Sequence, residues 1–219
     1  MNKLLKESLW AWLGVIVALR LVESLENSGM LGGQVAGLMT AVFLLYVPIL
    51  IYLKKGEKVG YFDREFSDLS RSLTVCLVFS LIIFSSALLV NHLFQTHINH
   101  FSYQPGIFLK PYGTFFSQLV MIALPEEFFF RGYLLGRFDE VFGKTRRLLG
   151  VAVGPGLLLV SLIFAVSHSL ISFAPWHILI FFPALAFGWL REKTGTLTAP
   201  ILFHTFCNIF SHWVAIHYF

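Results

Sequence analysis

Residues 73–94 read LTVCLVFSLIIFSSALLVNHLF, a stretch without a single Asp, Glu, Lys or Arg. As an α-helix it covers about 33 Å at ~1.5 Å per residue, enough to cross the ~30 Å hydrocarbon core of a bilayer. Six further apolar runs flank it, at 9–25, 35–53, 114–138, 148–171, 176–190 and 199–218. The composition agrees: of 219 residues, 57% are hydrophobic and only 13% charged, and the mean hydropathy is +0.75. Soluble domains carry about 25% charge, so a soluble globular domain is excluded. At ~20 residues per crossing the chain has room for at most about eight spans, which leaves no space for a water-soluble catalytic domain. The expectation is one integral membrane domain over residues 1–219, all-α, a polytopic transmembrane helix bundle of about seven spans.

The basic residues test that parsing. With the N-terminus inside, the inner segments hold Lys3, Lys6, Lys54, Lys55, Lys58, Arg64, Arg71, Arg137, Lys144, Arg146, Arg147, Arg191 and Lys193. The outer loops hold only Lys110, while Arg20 and Arg131 fall within spans. Lys and Arg collect in cytoplasmic loops, so the expected topology is N-terminus in and C-terminus out. The same rule explains the net charge of +4 without a nucleic-acid partner; the partner of the surface is the lipid bilayer.

Some segments are less regular. The first run follows Lys3 and Lys6 like a signal peptide, but it contains Arg20 and Glu23 and lacks a small-x-small cleavage site, so it reads as a retained span. Residues 61–72 mix Phe62 and Phe66 with Asp63, Arg64, Glu65 and Asp68, which fits a short interfacial helix or a solvated connector. Gly154-Pro155-Gly156 should break or recess the start of the fifth span. Cys76 and Cys207 lie in apolar runs and form no spaced framework.

Charged side chains inside spans cost roughly 2.5–3.5 kcal/mol each near a helix centre, so they point to function. The fourth run carries Pro125-Glu126-Glu127-Phe128-Phe129-Phe130-Arg131. At ~100° per residue, Glu127 and Arg131 lie about 40° apart and can pair, whereas Glu126 sits about 140° from Arg131. The wheel therefore predicts a structural Glu127–Arg131 pair and a free Glu126 carboxylate. A carboxylate of that kind suits a general base. Two other runs supply His168, in Phe164-Ala165-Val166-Ser167-His168, and His204 with Asn208 one turn later. Glu and His together can deprotonate and orient a water, and His204 and Asn208 both offer N–H donors for an oxyanion. The chemistry predicted is amide hydrolysis without a protein nucleophile.

These motifs, EExxxR at Glu126, Glu127 and Arg131, FxxxH at Phe164 and His168, and HxxxN at His204 and Asn208, resemble the CPBP family. It holds the CAAX prenyl endopeptidases, the bacteriocin-processing and immunity (Abi) proteins and the myxosortases. The resemblance covers residues 113–210 and leaves the N-terminal spans, 1–112, without a family motif. It implies a glutamic-type intramembrane endopeptidase with Glu126 and His168 activating water, His204 and Asn208 binding the oxyanion, and Glu127, Arg131 and Phe164 in support. The implied substrate is a membrane protein or lipid-modified peptide (CAAX-type, sorting-tail or bacteriocin-leader), and the implied location a bacterial or archaeal cytoplasmic membrane. No cofactor is expected. Zinc held by Glu126, His168 and His204 is the alternative, set against the missing HExxH pair and the adjacent Arg131. The alternatives to an enzyme are a non-enzymatic immunity or partner-binding protein of the same shape, and a small proton-relaying transporter.

Overall fold

A computed structural model describes residues 2–105 and 111–219; Lys110, the basic residue assigned to an outer loop, lies outside the described residues. They form seven helices: α1 (Lys3–Asn27), α2 (Gly33–Lys55), α3 (Phe66–His97), α4 (111–142), α5 (Pro155–Ser172), α6 (Phe181–Thr194) and α7 (Thr198–His217). α1, α2, α3, α5 and α7 are each long and apolar enough to cross a membrane. α6 has only 14 residues and is preceded by a 3₁₀ turn, Pro175–Ile180, so the span expected at 176–190 starts as 3₁₀ rather than α-helix.

Two expectations are corrected. The fifth span does not begin at residue 148: Arg146–Leu148 (β1) and Val151–Val153 (β2) pair as a short antiparallel hairpin. Its turn residues Leu149 and Gly150 both have positive φ, 50° and 79°, the geometry two-residue hairpin turns require. Gly154 then passes so close to the Gly143 carbonyl that a Cβ would lie 2.0 Å from it, and Pro155 opens α5. The second correction concerns residues 61–72, which are not a separate helix. From Phe66 onward they are the first turns of α3, whose 32 residues span about 48 Å and so outrun the hydrocarbon core.

α4 is the central helix. Residues 127–135 are all buried, and Phe129, Phe130, Tyr133, Leu134 and Leu135 form a core with Phe164, Phe187 and Phe203. The helix is not uniform: Gln118–Ala123 and Phe128–Leu134 are π-helical and bracket the α-helical turn Leu124–Glu127. Pro125 has no N–H to give the preceding turn, which favours a widened register there. α3 is peripheral, burying only the stripe Ser72, Cys76 and Ser80.

One end of the bundle gathers the basic residues assigned to the inner loops. Lys55 pairs with Glu7 at 2.6 Å, Arg137 with Glu57, Lys144 with Glu192 and Arg191 with Asp139. Arg71 Nη2 donates to the Lys193 carbonyl at 2.7 Å. The loop after α2 does not stay at this surface. Tyr61 reaches inward until its ring is edge-on to Phe128, 5.6 Å between centroids. It lies against Gly132 so tightly that a Cβ there would be 2.9 Å from Tyr61 Cε2. The Tyr61 carbonyl accepts from Leu197 N–H at 2.8 Å, and Asp63 accepts from Ser72 at 2.8 Å, Thr196 at 3.1 Å and Thr198. That carboxylate at the start of α7 offsets the exposed N–H groups and positive dipole end of the helix. The start of α7 is thereby seated on an inward-reaching loop. At the opposite end Ser102 and Gln104 hydrogen-bond the backbone of Phe219 and His217.

Candidate active site

Glu126 lies near the middle of α4, and two other helices bring their histidines to it. Glu126 Oε2 is 3.7 Å from His168 Nε2 on α5 and 3.8 Å from His204 Nε2 on α7. On sequence spacing alone His168 sits near the end of its span and His204 near the start of its own; they meet where the start of α7 is seated on the inward-reaching Tyr61–Asp63 loop. The pair expected from the helical wheel is also present: Arg131 Nη1 donates to Glu127 Oε1 at 3.0 Å.

The tautomers follow from the partners. His168 Nδ1 faces the Phe164 carbonyl at 2.9 Å; a carbonyl only accepts, so Nδ1 carries the proton. In the neutral ring Nε2 then turns a lone pair toward Glu126. A carboxylate and an imidazole lone pair side by side are both acceptors, the arrangement that holds a water by its two protons. His204 Nδ1 lies 2.8 Å from Glu127 Oε1, so an ionised Glu127 receives its proton and leaves Nε2 facing Glu126. The His204 ring stacks on Phe187, 4.6 Å between centroids and 13° from parallel.

Arg131 is enclosed. Besides Glu127 it donates Nη2 to the Ala184 carbonyl at 3.1 Å. Its guanidinium lies 4.2 Å from the Phe164 ring centroid and 5.0 Å from that of Phe187, so both rings add cation–π attraction. Phe164 thus serves three groups: its ring covers Arg131, its carbonyl fixes His168, and it meets Phe130 edge-on at 4.8 Å.

Asn208, one turn after His204 on α7, has its hydrogen-bond partner outside this cluster. Its Nδ2 donates to Gln118 Oε1 at 2.9 Å, which occupies one amide proton and leaves the second available. Sequence reasoning did not single out Gln118, or Glu127 as the partner of His204. An uncharged amide inside the fourth run was the one available signal for the former; the latter depends on how α4 and α7 pack. Among the described residues, no group of three His, Cys, Asp or Glu side chains is arranged to hold a metal ion.

Glu126 borders two cavities. One of about 190 Å³ reaches His168, Ser172 and His177; the other, of about 510 Å³, reaches Glu26, Gly33 and Ser117. Both are lined by the C-terminal half of α1 and the N-terminal half of α2, away from the basic end that the Tyr61 loop fills.

Fold and site together define an integral membrane protein of the all-α class, with two carboxylates, two histidines and an arginine packed at its centre. Residues 108–210 match the family model described as Rce1-like, type II CAAX prenyl endopeptidase. That stretch is similar to the Rce1-like type II CAAX prenyl endopeptidase (CPBP) family domain, and the residues named for the site above lie within it except those contributed by α1, α2 and the Tyr61 loop. A search of curated proteins finds no match, and neither does a search of solved structures.

Proposed function

We propose that this chain is a glutamic-type intramembrane endopeptidase that hydrolyses a peptide bond of a membrane-associated protein. The observation that carries the reading is the convergence of His168 and His204 from two helices on one oxygen of Glu126, at 3.7 and 3.8 Å, at the wall of two cavities. That oxygen is buried and has no hydrogen-bond partner among the described residues, which leaves it free to take a proton from water.

The reaction follows from these positions. Water bound between Glu126 and His168 Nε2 gives its proton to Glu126 as its oxygen attacks the scissile carbonyl. The carbonyl oxygen becomes an oxyanion, held by the free Asn208 N–H and by His204 Nε2 when that ring carries both protons. Collapse breaks the C–N bond, and the proton on Glu126 passes to the leaving amine. Glu127 keeps His204 oriented, and Arg131 balances its charge. Because catalysis is strongest where donors are fixed before the charge develops, the holding of the His204 ring by Glu127 and by stacking on Phe187 supports the reading.

The family implies a prenylated protein substrate; sorting-tail and bacteriocin-leader peptides are the other substrates proposed here. The seven-span topology with the N-terminus inside, in a bacterial or archaeal cytoplasmic membrane, belongs to the same proposal and is supported by the clustering of basic residues at one end. The test is purified full-length chain in proteoliposomes with a lipid-anchored quenched peptide and mass spectrometry of the products. Cleavage at one bond, undiminished by a chelator, is the expected result. Absence of cleavage across prenylated, sorting-tail and leader peptides would overturn the enzyme reading, and reversible loss with chelator would replace the mechanism by a zinc one.

A further inference from the structure

Glu23 belongs to none of the machinery described so far. It is a half-buried carboxylate near the end of α1, and it lines both cavities together with Thr40 and Glu126. Its neighbour one turn back, Arg20, is not its partner: Arg20 Nη1 donates to the Ile171 carbonyl at 3.1 Å, and its guanidinium lies 3.9 Å from the Phe173 ring centroid. Among the described residues Glu23 makes no hydrogen bond or ion pair. A carboxylate within a membrane span usually has a cation or faces a functional cavity, and this one faces the cavities that lead to Glu126.

We propose that Glu23 is a specificity-determining residue that receives a Lys or Arg side chain of the substrate close to the scissile bond. The proposal rests on the endopeptidase reading above. Three observations besides the missing partner favour it. Glu26, exposed on the next turn, lines the larger cavity too and approaches the start of α2 so closely that a Cβ on Gly33 would lie 2.9 Å from its Oε1. The mouth therefore carries two carboxylates, and a cleft lined by one sign of charge concentrates ligands of the other. The basic side chains of the loops, which would repel such a substrate, sit at the far end of the bundle, and the Tyr61 loop fills the space between. A basic segment thus enters from the acidic end, passes Glu23 and presents its backbone to Glu126. Thr40, on the facing helix, adds a hydroxyl to the same junction.

The test uses the full chain in proteoliposomes and pairs of lipid-anchored quenched peptides that differ only by arginine or its neutral isostere citrulline, scanned position by position. At one position arginine should be preferred in kcat/KM by about tenfold, the factor that ~1.4 kcal/mol of charge-assisted contact gives, and the preference should narrow as salt rises. In Glu23→Gln the ratio should fall toward one, and in Glu23→Lys glutamate should be preferred over glutamine at that position. An arginine preference unchanged in Glu23→Gln, or no preference at any position, overturns the proposal. A second arm reads binding alone, by fluorescence anisotropy of the same peptides on Glu126→Gln protein with and without Glu23→Gln. If no peptide is cleaved by the unaltered chain, the endopeptidase reading fails while the arginine-to-citrulline binding ratio still decides the role of Glu23.

Discussion

Replacing Glu127 by Gln preserves the shape of the site and removes one charge. Gln Oε1 can still accept from Arg131 Nη1, now 3.0 Å away, and from His204 Nδ1, now 2.8 Å away. What disappears is the counter-charge of a guanidinium whose side chain is 1% exposed. Its remaining partners are the neutral Ala184 carbonyl and two phenylalanine rings. Breaking a buried pair by removing one partner costs about 3–5 kcal/mol. For a chain of this length each kcal/mol moves the unfolding midpoint by about 2–4 °C, so the fall should be about 6–20 °C. The assay is thermal unfolding in one detergent, followed by tryptophan fluorescence. Arg131→Met alone should also destabilise, because it leaves the Glu127 carboxylate buried beside His204 only. The double variant should regain at least half of what Glu127→Gln loses, since the uncompensated charge is gone. A midpoint within about 1 °C of the unaltered protein for Glu127→Gln, or a double variant no better than the single one, would refute the claim that the pair is a buried charge couple.

Other perturbations probe separate parts of the account. Gly132→Ala places a methyl group 2.9 Å from the Tyr61 ring and should cost about 1–3 kcal/mol by overpacking; the loss should be relieved by adding Tyr61→Ala, with both read as unfolding midpoints. Asn208→Ala should lower turnover by about 10²–10³ with little change in KM, as loss of an oxyanion donor does. Gln118→Ala should shift turnover in the same direction by less, because Gln118 only orients that amide. Single cysteines at Lys55, Lys144 and Lys193 should label from the cytoplasm and one at Ser102 from outside, in intact cells treated with an impermeant maleimide; labelling of position 144 from outside would reverse the topology.

How much of this was legible in the sequence depends on the range of the interaction. Glu127 and Arg131 are four residues apart, so a helical wheel suffices to pair them, and the π-helical turns of α4 do not disturb that spacing enough to separate them. The helix-breaking Gly154-Pro155 pair likewise acts locally and was readable. The hairpin ahead of it was not, because residues 148–153 read LLGVAV, and an apolar run does not declare whether it is strand or helix. The bond between Glu127 and His204, the Gln118–Asn208 pair and the inward path of Tyr61 join residues far apart in sequence. Each depends on how deep a helix end sits in the bundle, a quantity that spacing along one helix does not encode. Glu23 was conspicuous as a charge within a span, yet only the cavities show that it shares a wall with Glu126.

The most direct test of the central claim is peptide cleavage by Glu126→Gln. The side chain keeps its size, and the nearest contacts of Oε2 are imidazole nitrogens at 3.7 and 3.8 Å rather than a hydrogen-bonded partner, so the variant should unfold at the same temperature as the unaltered chain. Without a proton acceptor for water it should show no cleavage above background. A folded Glu126→Gln protein that cleaves at the full rate would contradict the account.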